Sequence, residues 1–113
     1  MSFEDCVDFA KRHPVCAVAT VEGDQPRVRY FLMWRAERSG FFFHTGKMKR
    51  IYQQLQMNPK VELCFYDTAP SEQGGGMMLR VTGRVEWRKE PALVNALLEE
   101  RPWIRSLGTD TDQ

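Results

Sequence analysis

The sequence predicts a mainly β protein, an antiparallel barrel with short helices covering its ends. About five stretches carry apolar residues at the period of a strand, most are joined by tight polar turns, and no alternation of strand and helix points to a parallel sheet.

The elements follow in order. Phe3, Cys6, Val7 and Ala10 recur at helical spacing with Ser2 placed to cap, which predicts a helix over 3–12 ending before His13-Pro14. Residues 15–21 alternate small and branched side chains as a buried strand. Glu22-Gly23-Asp24-Gln25 reads as a hairpin turn, and residues 26–36 return as one long strand. Arg27, Arg29, Phe31 and Met33 share one face of it, and Val28, Tyr30, Leu32 and Trp34 the other. A turn at 37–40 leads into the apolar strand 41–43, which Thr45-Gly46 breaks. Met48, Ile51, Tyr52 and Leu55 then form the stripe of a helix that Asn58-Pro59 stops. Residues 61–65 alternate as a strand, and 67–76 form a polar, glycine-rich loop. Its three consecutive glycines lack the Gly-Lys-Ser/Thr that a nucleotide loop requires. Residues 77–88 read as a strand with Leu79, Val81, Gly83, Val85 and Trp87 on one face. Pro91 starts a helix over 90–100, and the tail beyond Trp103 and Ile104 has no apolar alternation.

At 113 residues the chain is expected to form one domain over 1–113. The 42% hydrophobic and 27% charged shares fit a globular protein, and a net charge of +1 provides no field to gather nucleic acid. No apolar run approaches the roughly 20 residues needed to span a bilayer. The opening SFEDCVDFAKR is acidic where a signal peptide would be basic and then apolar, so no membrane and a cytoplasmic location are expected. Cys6, Cys16 and Cys64 are widely separated, with only His13 and His44 to help them, which argues against a disulfide framework and a zinc site. Cys16 and Cys64 read as small core fillers. Cys6 stays open as a nucleophile, with nothing nearby to support it.

The chemistry-bearing feature is the cation cluster Lys47, Lys49 and Arg50 at the start of the helix after strand 41–43. Cations there oppose the helix dipole unless an anion sits among them, so the stretch reads as a phosphate cradle. The competing reading is a solvated face, and Lys47 fits either a second-line contact or solvation. No carboxylate pair and no Ser/His/Asp constellation offers cofactor-free hydrolysis. Tyr30, Phe31, Trp34, Phe43 and Trp87 suit either a core or the walls of a cleft.

The order of the pieces 17–21, 23–29, 41–45, 49–59, 61–65 and 79–87 resembles the FMN-binding split barrels related to pyridoxamine 5′-phosphate oxidase. The likeness runs from about residue 3 to residue 100. It implies an antiparallel Greek-key split β-barrel of six strands that forms a homodimer, with FMN in each of two clefts between subunits. Carried over residue by residue, Arg29, Lys49 and Arg50 would hold the phosphate. The backbone of Tyr30, Phe31 and Leu32 would lie along the flavin ring, and His44 and Thr45 would meet the ribityl and phosphate region. Arg27 fits a flavin contact or a rim salt bridge equally. The implied activity is that of an FMN-dependent oxidoreductase passing hydride between a nicotinamide-type donor and a small molecule, with catalytic residues unassigned. The alternative is a non-catalytic flavin or haem module. Pyridoxamine phosphate oxidation is not expected, because the Arg and His segment that holds the pyridoxal ring has no counterpart before Gln113. The sixth strand is likewise unrecognisable in SLGTDTDQ. A barrel binding single-stranded nucleic acid through Arg27, Arg29, Lys47, Lys49, Arg80 and Arg84 is disfavoured by the near-neutral charge.

Overall fold

A computed structural model describes residues 2–45, 50–69, 74 and 76–101. Helix α1 (Phe3–Arg12) begins on a reciprocal cap: the Ser2 hydroxyl accepts from the Asp5 N–H, and the Asp5 carboxylate accepts from the Ser2 N–H, both at 3.1 Å. The Ser2 backbone N–H first, and then the Ser2 hydroxyl, hold the Asp5 carboxyl below its ordinary value. The predicted cap and span are both observed.

Strands β1 (Val15–Glu22) and β2 (Gln25–Leu32) form a hairpin with Glu22 opposite Gln25. The two-residue turn carries its positive φ, +65°, on Gly23 alone, which is the type II′ pattern that matches strand twist. Beyond β3 (Arg35–Glu37), β4 (Gly40–Phe42) and α2 (Arg50–Met57) come β5 (Lys60–Asp67), β6 (Met77–Arg84) and α3 (Pro91–Glu100). The strands make a four-stranded antiparallel sheet in the order β2-β1-β5-β6 and a two-stranded sheet β3-β4. The larger sheet is not closed, so β2 and β6 are its edges among the described residues. Lys49 and Lys47, the Met48 of the predicted helix stripe, most of the glycine-rich loop and the tail after Arg101 lie outside the described residues.

The expected long strand over 26–36 is two strands. Met33 N–H still bonds the Pro14 carbonyl at 2.8 Å, just ahead of β1, whereas Trp34 N–H bonds the Phe42 carbonyl at 2.9 Å. Between these neighbours the chain changes partner and passes from one sheet to the other. Helix α3 braces the corner: Arg101 donates to the carbonyls of Leu32 and Met33, while Glu100 accepts from the Trp34 indole and from Arg35, each at 2.9 Å. Strand 77–88 likewise stops early, at Arg84. Its partner β5 begins at Lys60, opposite Arg84, and one further bond from Val85 N–H to the Pro59 carbonyl ends the ladder.

Register places Cys16, Val18 and Thr20 of β1 beside Phe31, Arg29 and Arg27 of β2, and Cys16 and Val18 beside Phe65 and Leu63 of β5. This inner face packs on α1, α2 and the small sheet, with Phe9, Ala10, Met33, Ala36, Ile51 and Leu55 buried against it. Leu97 and Leu98 of α3 form a second small cluster with Trp34 and Val94. Among the described residues no helix is long and apolar enough to cross a membrane.

Phe65 has no exposed surface, so Phe65→Ala is expected to cost about 3–5 kcal/mol in urea unfolding. Met57 is 89% exposed, and Met57→Ala serves as the control, expected to shift stability by no more than about 0.5 kcal/mol.

Candidate functional site

Inward parity on β2 turns Arg29 toward the core side of the sheet, where a bare guanidinium would be costly. It is met by three acceptors from two elements. Its Nη1 donates to the Thr20 hydroxyl at 2.8 Å and the Val18 carbonyl at 3.2 Å, and its Nη2 donates to Gln54 Oε1 at 2.7 Å. The Thr20 hydroxyl in turn donates to Gln54 Oε1 at 2.8 Å. Thr20 (2% exposed) and Gln54 (5%) are the polar residues buried among the described ones. A guanidinium has further donors at Nε and on the second Nη2 hydrogen. None of these is committed to an acceptor among the described residues. Burial, and then the charge of Arg27, push the Arg29 guanidinium below its ordinary value, while Glu22 pulls it back. It stays a cation at neutral pH.

Glu22, at the end of β1, gathers the neighbouring cations. Its Oε1 accepts from Arg27 Nε at 3.1 Å and lies 3.5 Å from Arg50 Nη2 at the start of α2. Arg27, Arg29 and Arg50 therefore belong to one electrostatic neighbourhood, with Glu22 as the internal anion. Arg50 is well exposed and Arg29 half-buried.

Beside this cluster the open side of the sheet encloses a cavity of about 340 Å³, walled by residues such as Val18, Phe31, Phe43, Ile51, Leu55 and Trp87. His44 and Thr45 reach it from the segment after β4. The Thr45 hydroxyl is buried with no hydrogen-bond partner among the described residues, a condition that costs about 1–3 kcal/mol if nothing else meets it.

Among the sequence-predicted site residues, Arg29 and Arg50 come together around Glu22, and Phe31, His44 and Thr45 face the cavity. Tyr30 and Leu32 point the other way, onto the outer face of the sheet, with Tyr30 77% exposed. Their N–H and C=O groups turn outward from β2, an edge strand among the described residues, and the Leu32 carbonyl there accepts from Arg101. Of the aromatic walls considered from sequence, Phe31, Trp34, Phe43 and Trp87 line the cavity and Tyr30 does not. Lys49 lies outside the described residues. Thr20, Glu22 and Gln54 were missed. The available signals were the inward parity of Thr20 with Cys16 and Val18, and Gln54 falling three residues after Ile51.

These residues fit a bound phosphate monoester. A half-buried guanidinium with spare donors, an unpartnered hydroxyl and an exposed arginine at a helix start are the donors a dianion uses. Among the described residues no group of three His, Cys, Asp or Glu side chains is arranged to hold a metal ion.

Comparison with known proteins bears on the same stretch. The family model for pyridoxamine 5′-phosphate oxidase matches residues 3–106. A curated pyridoxine/pyridoxamine 5′-phosphate oxidase of Anaeromyxobacter dehalogenans is 35% identical over 79 residues, covering 67% of this chain and 37% of that protein. The chain thus spans little more than a third of the curated relative. A NimC/NimA family protein of Clostridium acetobutylicum superposes with a TM-score of 0.74 at 27% identity, over 97% of this chain and 72% of the other. Two further structures share the fold alone. They are an FAD-binding protein of Mesorhizobium loti (TM-score 0.72, 15% identity, 96% and 75% covered) and the haem storage protein HutZ of Vibrio cholerae (0.68, 19%, 97% and 83%).

Cys16 offers no nucleophile. Burial, then the neighbouring Cys64, push its thiol from the ordinary 9.0 up to about 12. Cys16 should resist alkylation in the native protein at pH 8 and react once unfolded. Because the folded state holds this proton more tightly than the unfolded state, its stabilising effect is complete below pH 9 and fades as pH climbs toward 12. Alkaline unfolding of Cys16→Ala should therefore show a shallower loss of stability over that window.

Proposed function

The chain belongs to the pyridoxamine 5′-phosphate oxidase family, and on that footing we propose that it binds FMN in two clefts of a homodimer and transfers hydride or electrons between a nicotinamide-type donor and a small molecule. When bound, FMN supplies the redox chemistry at its ring. The chain supplies binding and orientation. Arg29 and Arg50 neutralise the phosphate, with Lys49 as a third cation. The Thr45 hydroxyl takes a polar atom of the ligand, His44 sits beside it, and the backbone of Tyr30, Phe31 and Leu32 lies along the ring, with the Tyr30 N–H and C=O turned outward from β1. The observation that carries the reading is the Arg29 fork, half-buried and fixed by Thr20 and Gln54, with donors that no described residue accepts.

The outer face of the sheet supports the dimer. Val28 is 69% exposed, and Tyr30, Leu32, Val15, Tyr66 and Met78 join it in an uncovered apolar surface. Such a surface suits association with a second copy, and a cleft between copies would place the edge of β2 against the partner. The substrate stays at the level of a small molecule, because the curated oxidase is matched over only 37% of its length.

The purified protein is expected to be yellow, dimeric by ultracentrifugation, and bleached reversibly by NAD(P)H or dithionite. Colourless protein that gains no thermal stability from FMN overturns the proposal, and a haem spectrum on adding hemin without any flavin binding replaces it with the haem-module reading. Arg29→Ala should weaken FMN binding by about 1.5–3 kcal/mol in a fluorescence titration, the range for hydrogen bonds to a charged group. Tyr30→Asp should give monomers that have lost flavin, since a carboxylate on the shared face is buried unpaired.

A further inference from the structure

We propose that Gln54 is a positioning residue for phosphate recognition, acting with Thr20 to hold the Arg29 guanidinium in the one orientation that presents its free N–H groups to an anion. The inference rests on the FMN reading above and assigns a role within that site to a residue that touches no ligand.

Gln54 lies in the middle of α2, where the spacing from Ile51 and to Leu55 makes it part of the buried stripe. A glutamine there gives up hydration and packs less well than leucine, so its presence calls for a polar reason. Its Oε1 receives both the Arg29 Nη2–H and the Thr20 hydroxyl. The atom in that position must be the oxygen, because a guanidinium only donates and an NH₂ group would oppose it donor to donor. Thr20 closes the triangle by accepting from Arg29 Nη1. A long side chain with several rotatable bonds is thereby fixed at two points of its fork, which removes the conformational entropy that ligand binding would otherwise have to spend.

An uncharged partner is the informative choice. A Glu at this position would also accept from Arg29, but its charge would neutralise the cation and repel a phosphate nearby. Gln54 orders the guanidinium and leaves its charge available. Glu22, the carboxylate in the neighbourhood, instead contacts Arg27 and Arg50.

A purely structural staple between α2 and the sheet predicts equal losses for every ligand, whereas positioning predicts a loss specific to the phosphate. The test compares FMN with riboflavin, which lacks the phosphate, by flavin fluorescence quenching. Gln54→Met keeps volume and removes the acceptor. It should weaken FMN about tenfold while leaving riboflavin within about twofold, as expected for the loss of an ordered charge-assisted contact. In an Arg29→Ala background the same change should produce no further loss of FMN, because its effect runs through Arg29. Equal loss of both flavins, or full additivity with Arg29→Ala, overturns the inference. Should Gln54→Met fail to fold by circular dichroism, Thr20→Val decides in its place, with a smaller selective loss of FMN expected and an unchanged FMN-to-riboflavin ratio counting against. If the unsubstituted protein binds neither flavin, the FMN reading falls and this inference with it. If it prefers FMN and the variants keep that preference, only the positioning role falls.

Discussion

A cation on the core side of a sheet needs compensation, and the Arg29 guanidinium obtains it from Val18, Thr20 and Gln54. These partners come from β1 and α2, so one residue's hydrogen bonds set where the helix sits on the sheet. The start of that helix brings Arg50 toward Glu22, and Glu22 returns to Arg27. Satisfaction of the core and assembly of the cationic neighbourhood are consequently one arrangement. Removing an acceptor would leave a charge half-buried, which is far more damaging than the loss of an exposed ion pair.

The second organising feature is the corner at Met33 and Trp34. A single extended run serves two sheets by changing its hydrogen-bonding partner between adjacent residues. The carbonyls turned outward at the bend are met by Arg101, and the Trp34 indole and Arg35 by Glu100. Helix α3 therefore fastens the geometry that lets the small sheet and the segment through Thr45 lean over the larger sheet. The cavity is lined by residues of both sheets together with α2 and α3.

Local patterns were legible wherever the partner is near in sequence. The capping box, the Gly23 hairpin, the inward parity of Arg29 and the stripe of Ile51 and Leu55 follow from spacing alone. The break in the second strand was not legible, because residues 27–36 contain no glycine, proline or turn residue and the instruction to turn comes from Pro14, Phe42 and α3. The same reason hid Thr20 and Gln54. Each sits on the buried side of its own element, but what it bonds is an arginine 9 or 25 positions away. Position on the edge strand was equally invisible, since pairing order in a sheet is a tertiary fact. The family pattern identified Arg29, Arg50, His44 and Thr45 as residues to examine, and the fold put them on one side of the sheet while sending the side chains of Tyr30 and Leu32 to the other.

The location of Arg29 on a border strand has a consequence unrelated to ligands. Strand borders invite further strands to add on, which is how fibrils grow, and a charge directed inward from such a border is a recognised obstacle to that growth. Pro26 adds a second obstacle, having no N–H to offer a newcomer. A strand docking along β2 would have to seal a guanidinium beneath itself. The residue proposed to hold an anion thus also helps keep self-recognition finite, steering copies away from open-ended stacking.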